Sequence, residues 1–115
     1  MPHFLKVVLY MHFWINNHLW CVFDVPANHP KLRDGFRYVL GCCYTHDKEI
    51  YVNRELPQWK YERVVAHEIT HAFIYEYGIV LPKEQEEMIA NLFAEHGREM
   101  IAIVDNILQQ ILEVA

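Results

Sequence analysis

The chain has 115 residues, 53% of them hydrophobic and 22% charged, with a formal net charge of −5 and an isoelectric point near 5.9. That length and apolar content suit one compact domain with a real core, and no linker, repeat or low-complexity block divides residues 1–115. The acidic balance and the scattered basic residues exclude a phosphate-binding surface, so no nucleic-acid partner is expected.

Residues 4–15 are rich in Val, Phe, Tyr and Trp, with no helix cap before them. Asn16-Asn17 follows, a pair that tolerates positive φ. A strand, a turn and a second strand from Leu19 to Val25 are expected; a first helix is the alternative for residues 4–15. The same apolar run is interrupted by Lys6 and His12, lacks a small-residue cleavage site and is too short and polar to span a bilayer. Neither export nor a membrane is therefore expected. Cys21, Cys42 and Cys43 are odd in number and form no CxxC, which suits reduced thiols in the cytoplasm.

Pro26, Asn28, Pro30, Asp34 and Gly35 mark a loop. Phe36 to Tyr44 and Glu49 to Asn53 read as a β-hairpin joined through Thr45-His46-Asp47-Lys48. Gly41 inside the first strand points to a bulge or a close backbone approach. The second strand alternates polar and apolar residues, as a half-buried strand does.

Pro57 precedes a helix that runs to about Tyr77, where Gly78 provides a stop. Val, Ala, Ile, Phe and Tyr fall on more than one side of it from Val64 to Tyr77, the composition of a helix buried by its neighbours. After a short loop, Pro82 opens a second helical segment with Glu84, Glu86 and Glu87 in its first turn. Apolar residues then recur at Ile89, Leu92, Phe93, Met100, Val104, Ile107 and Ile111, and Gly97 is a point at which the segment would kink or split. The expected fold is α+β, a small antiparallel sheet packed on the first helix and on a C-terminal helical segment.

The first helix carries His67-Glu68-Ile69-Thr70-His71, an HExxH pattern. Two histidines four apart project from one face, where two imidazole nitrogens share a single metal ion, and Glu68 lies on the flank, placed to reach a metal-bound water. Catalytic zinc usually takes three protein ligands and leaves a fourth position open. Tyr77 stands where the third histidine of the HExxHxxGxxH arrangement would be, which excludes that arrangement. The remaining ligands on offer are Glu84, Glu86 and Glu87, with His96 a further option. Glu86 sits on the apolar stripe, Glu87 nearer its edge beside Ala90, Asn91 and Ala94. Periodicity does not separate the two. Asn91, one turn beyond Glu87, is a polar partner suited to holding a metal-bound histidine.

His-Glu-Ile-Thr-His-Ala-Phe followed by a Glu-rich helix start resembles the gluzincin branch of zinc metallopeptidases. In that branch the third ligand is a Glu in an ExxxD element, and Glu87 to Asn91 gives ExxxN. More narrowly, residues 36–100 are similar to small ImmA/IrrE-type metallopeptidases of bacteria, phages and mobile elements. The similarity rests on Ile50-Tyr51-Val52-Asn53, the HExxHA element and Ala90-Asn91-Leu92-Phe93-Ala94. Many members have a Glu directly before the Ala-Asn pair where this chain has Ile89. The resemblance implies a minimal zincin-like domain with zinc held by His67, His71 and Glu87, or Glu86 in its place. It also implies Glu68 as general base and a strand at 49–53 that lines the cleft and pairs with an extended peptide by its free edge.

The expected activity is zinc-dependent hydrolysis of peptide bonds in a protein or peptide substrate, such as a regulatory protein. Tyr75, Tyr77 and His96 are candidates for stabilising the oxyanion. Two alternatives belong to other classes. An inactive zinc-binding module would close its site with a fourth ligand, His96 for preference. A helical interaction protein would form a homodimer through the stripe at 100, 104, 107 and 111.

Overall fold

A computed structural model describes residues 9–114. Strand β1 (Leu9–Ile15) turns back into β2 (His18–Val25) through Asn16 and Asn17, both at positive φ, 49° and 65°. That is the backbone of a type I′ turn, whose twist matches the strands it joins. The strand reading of this region holds from Leu9 onward; the earlier residues of the expected strand lie outside the described ones.

The single strand expected over 36–44 is broken. Arg33–Asp34 (β3) and Arg37–Tyr38 (β4) form a two-residue ribbon of their own, and only Gly41–Tyr44 (β5) joins the main sheet. The break arises because Val39 donates its N–H to the carbonyl of Leu32 at 2.8 Å, folding β4 back on β3. From β5 the chain turns at Thr45–Lys48 into β6 (Glu49–Asn53), as the hairpin reading requires.

The main sheet has the order β1-β2-β6-β5 and is mixed. The expected all-antiparallel sheet is wrong at one seam: β2 and β6 run parallel, with Cys21 opposite Glu49 and Val25 opposite Asn53. The segment after β2 carries the chain to the far edge, where β5 forms, and the hairpin returns β6 into the gap between β5 and β2. β6 is therefore central, and Ile50, Tyr51, Val52 and Asn53 are all buried. The half-buried reading of this strand fails for that reason. Ile50 and Val52 pack with Trp20, Val22 and Ala72 on one face, and Tyr51 packs with Val25 and Leu32 on the other. Each large apolar side chain buried this fully contributes about 1.5–3 kcal/mol.

Helix α1 (Gln58–Glu76) lies across the first of these faces. Its C-terminus is a Schellman motif: Gly78 adopts φ 65°, Ile79 donates to Ile74 and Gly78 donates to Tyr75. The Trp20 indole donates to Glu76 at 2.6 Å, fixing this end on β2. Burial is narrower than its composition implied. Glu68, Ala72 and Ile74 are buried, whereas Phe73 and Tyr77 are exposed along the groove between the helices and Tyr75 is exposed beside Trp20.

Helix α2 (Lys83–Val114) is one helix of 32 residues, and Gly97 neither kinks nor splits it. A glycine in a helix interior costs only about 1 kcal/mol against alanine, which the good helix formers on either side outweigh. Among the described residues no helix is long and apolar enough to cross a membrane.

Candidate metal centre

α1 and α2 form an antiparallel hairpin, and the start of α2 faces the middle of α1. The approach is close because Ala90 meets α1 with no bulk and is fully buried. This brings Glu86 and Glu87 over His71 and His67.

Three donor groups converge there. His67 Nε2 stands 3.1 Å from Glu87 Oε2, His71 Nε2 stands 3.0 Å from Glu87 Oε1, and the two Nε2 atoms are 3.2 Å apart. Tetrahedral zinc with bonds of about 2.0–2.1 Å sets its ligand atoms roughly 3.3 Å from one another. His67, His71 and Glu87 form the group among the described residues whose ligand atoms lie close enough to share an ion.

The donor chemistry agrees with the spacing. His71 Nδ1 lies 2.5 Å from Glu86 Oε2. Donation of an Nδ1 proton to that carboxylate leaves the Nε2 lone pair directed at Glu87 and at His67 Nε2, an assignment made from the hydrogen-bond network. Two imidazoles and a carboxylate that converge on one point could hold a cation between them. Glu86, not Asn91, thus stands where a carboxylate could orient His71, and Glu87 belongs to the group that could hold an ion. Asn91 lies beside His67 along a neighbouring depression.

Glu68 is 8% exposed, wedged between α1 and β5. The close approach expected at Gly41 is found here: a Cβ at that position would stand 2.5 Å from Val64 Cγ1 and 3.2 Å from a Glu68 carboxylate oxygen. Burial pushes the Glu68 carboxyl up to about 7; His71 pulls it down and Glu87 pushes it further up. Burial also raises the thiol of neighbouring Cys43, with Glu68 adding to the effect. The carboxyl stands in the same cleft as the His67, His71 and Glu87 group.

The remaining candidates stay outside the site. Glu84 is exposed. His96 is exposed farther along α2, where it pairs with Glu99 at 3.2 Å and Glu95 at 3.8 Å. Tyr75 packs its ring edge on Trp20 and Tyr77 stacks on Phe73, and neither lines the cleft in front of His67 and His71. That cleft, about 750 Å³, is walled by β5 and by Arg33, Arg37, Tyr44 and Lys83, none of which the sequence reading singled out. No local signal marks them, since the β3–β4 ribbon reaches the cleft only through the tertiary fold.

Comparison of the chain with protein-family models, with curated proteins and with solved structures finds no match.

Proposed function

We propose that this protein is a zinc metallopeptidase of zincin-like build, akin to the ImmA/IrrE type, that hydrolyses a peptide bond in another protein. The observation that carries the reading is the convergence of His67 Nε2, His71 Nε2 and the Glu87 carboxylate at 3.0–3.2 Å, with a buried Glu68 in the same cleft. His67, His71 and Glu87 would hold the ion. With three protein ligands and His96 elsewhere, the set favours an open catalytic site over a closed structural one.

Zinc bound there would supply Lewis acidity, acidifying a water and polarising the scissile carbonyl. Glu86 keeps the His71 ring in its ligating orientation. Glu68 takes a proton from the attacking water and delivers it to the leaving amine. Val64 and Gly41 hold its side chain in place for both transfers.

An extended peptide fits the cleft wall. β6 has strand partners on both sides, so the free edge expected there belongs to β5, which ends the sheet and lines the cleft. Pairing along that edge would align a peptide past His67 and His71. Three free cysteines suit the reducing cytoplasm, with a regulatory protein as the substrate class.

The test is cleavage of an unfolded protein substrate by zinc-loaded wild type and by Glu68→Gln. Wild type should cut, and the variant should lose about 10²–10⁴-fold in kcat while keeping its metal. Equal cleavage by both would sink the assignment of Glu68, and no cleavage by either across a diverse substrate set would sink the peptidase reading.

A further inference from the structure

Among the described residues the apolar stripe on the second half of α2 is left uncovered, although Arg98 pairs with Glu62 of α1 at 3.3 Å. At 1.5 Å per residue α2 is about 48 Å long and α1 about 28 Å, so α2 overshoots its partner helix. Every residue from Arg98 to Val114 is exposed. Met100, Ile101, Val104, Ile107, Leu108 and Ile111 are 45–55% exposed and recur at three- and four-residue steps, the broad stripe of a helix that faces a core. A segment of this length is marginal as a lone helix in water, so the stripe needs a cover.

Next to the stripe lies an uncovered apolar groove of about 900 Å³ between the two helices, floored by Ala66, Ile69, Phe73, Ile89, Phe93 and Ile101. The chain exposes 8541 Å². A compact monomer of 13.8 kDa would expose about 6,600 Å². The surplus, on the order of 1,900 Å², exceeds the roughly 800 Å² that each partner gives to a stable interface. The radius of gyration, 16.7 Å against about 13 Å for a compact chain of this length, reports the same overhang.

Charge narrows the occupant. From Glu99 to Val114 the helix carries Glu99, Asp105 and Glu113 and no Lys or Arg. Helices that lie on anionic membranes or follow phosphates are rich in Lys and Arg. The surface that matches an apolar stripe beside an apolar groove is the same pair of features on a second copy, turned by a two-fold axis.

We infer that two copies of this chain dimerise with their α2 helices antiparallel, the tail of each lying in the α1–α2 groove of the other. Parallel pairing would set tail on tail and leave both grooves open. Antiparallel pairing about Val104 and Ile107 sets Met100 against Ile111 and Gly97 against Val114, and the bare Gly97 admits the tail closely. Glu99 and Glu113 then fall outside the apolar layers, and Asp105 stands on the lining of the groove. The inference is independent of the metal centre, which faces the other side of the hairpin.

Sedimentation equilibrium of the full chain at about 100 µM tests it. The expected mass is twice 13.8 kDa. The double variant Ile107→Asp/Leu108→Asp, altered only where the monomer is exposed, should weaken dimerisation by more than about 100-fold, with the amide NMR signals of the sheet unchanged. A monomeric wild type overturns the inference, as does a variant that keeps the dimer mass. A monomeric wild type that sediments with phosphatidylglycerol vesicles would give the stripe to a membrane instead. In the antiparallel dimer the two Val114 positions are roughly 25 Å apart. Ready disulfide cross-linking of Val114→Cys to itself would therefore overturn the arrangement.

Discussion

The two halves of α2 carry the same apolar repeat and meet opposite fates. Between Lys83 and Gly97 α1 meets part of the helix: Ala90 is fully buried and Glu86 and Glu87 are held by His71 and His67, while Leu92 and Phe93 stay exposed. Between Arg98 and Val114 every residue is exposed, and the contact shown with another described element is the Arg98–Glu62 ion pair at 3.3 Å. Periodicity reports that a helix face needs covering and is silent on what covers it. The polar residues on that face show the same dependence. Glu86 and Glu87 meet His71 and His67 because two histidines stand opposite, whereas Glu95 and Glu99, among the described residues, pair with His96 on their own helix.

The sharpest way to break this contrast is within the first half. Glu87→Ala removes a ligand and should lower zinc affinity by well over 100-fold, read by competition with a chromophoric chelator. Glu86→Gln leaves the ligand set whole and loosens only the His71 ring, so a loss of about 10–100-fold is expected. If the two effects are reversed, the roles of the two carboxylates are exchanged. Gly41→Ala drives a methyl into Val64 and toward Glu68, and should cost about 1–3 kcal/mol in urea unfolding. Gln109→Ala, at an exposed position turned away from the apolar stripe, should stay within about 0.5 kcal/mol of wild type. A larger loss at Gln109 would mean that the second half is covered in a way the antiparallel dimer does not provide.

What the sequence disclosed was local. Asn16-Asn17 marked a turn needing positive φ, Gly78 marked a helix end, and His67 and His71 shared a face by spacing alone. The parallel seam between β2 and β6 was illegible, because it joins strands separated by the whole loop and β5, and nothing in either strand encodes its partner. That seam in turn buried β6 on both faces and moved the free edge to β5. Glu86 and Glu87 could not be told apart because both lie on the inner side of α2; the rotation of α2 against α1, set by the close contact at Ala90, decides which faces both Nε2 atoms. Arg33, Arg37 and Lys83 went unnoticed for the same reason, since only the packed chain brings them to one cleft.

The central claim is that His67, His71 and Glu87 hold one zinc ion. Elemental analysis of protein purified without chelators or an affinity metal tests it most directly, comparing wild type with His67→Ala and Glu68→Gln. About one zinc per chain is expected in wild type and in Glu68→Gln, and a loss of nearly all of it in His67→Ala. A zinc-free wild type, or a His67→Ala protein that keeps its full complement, would contradict it.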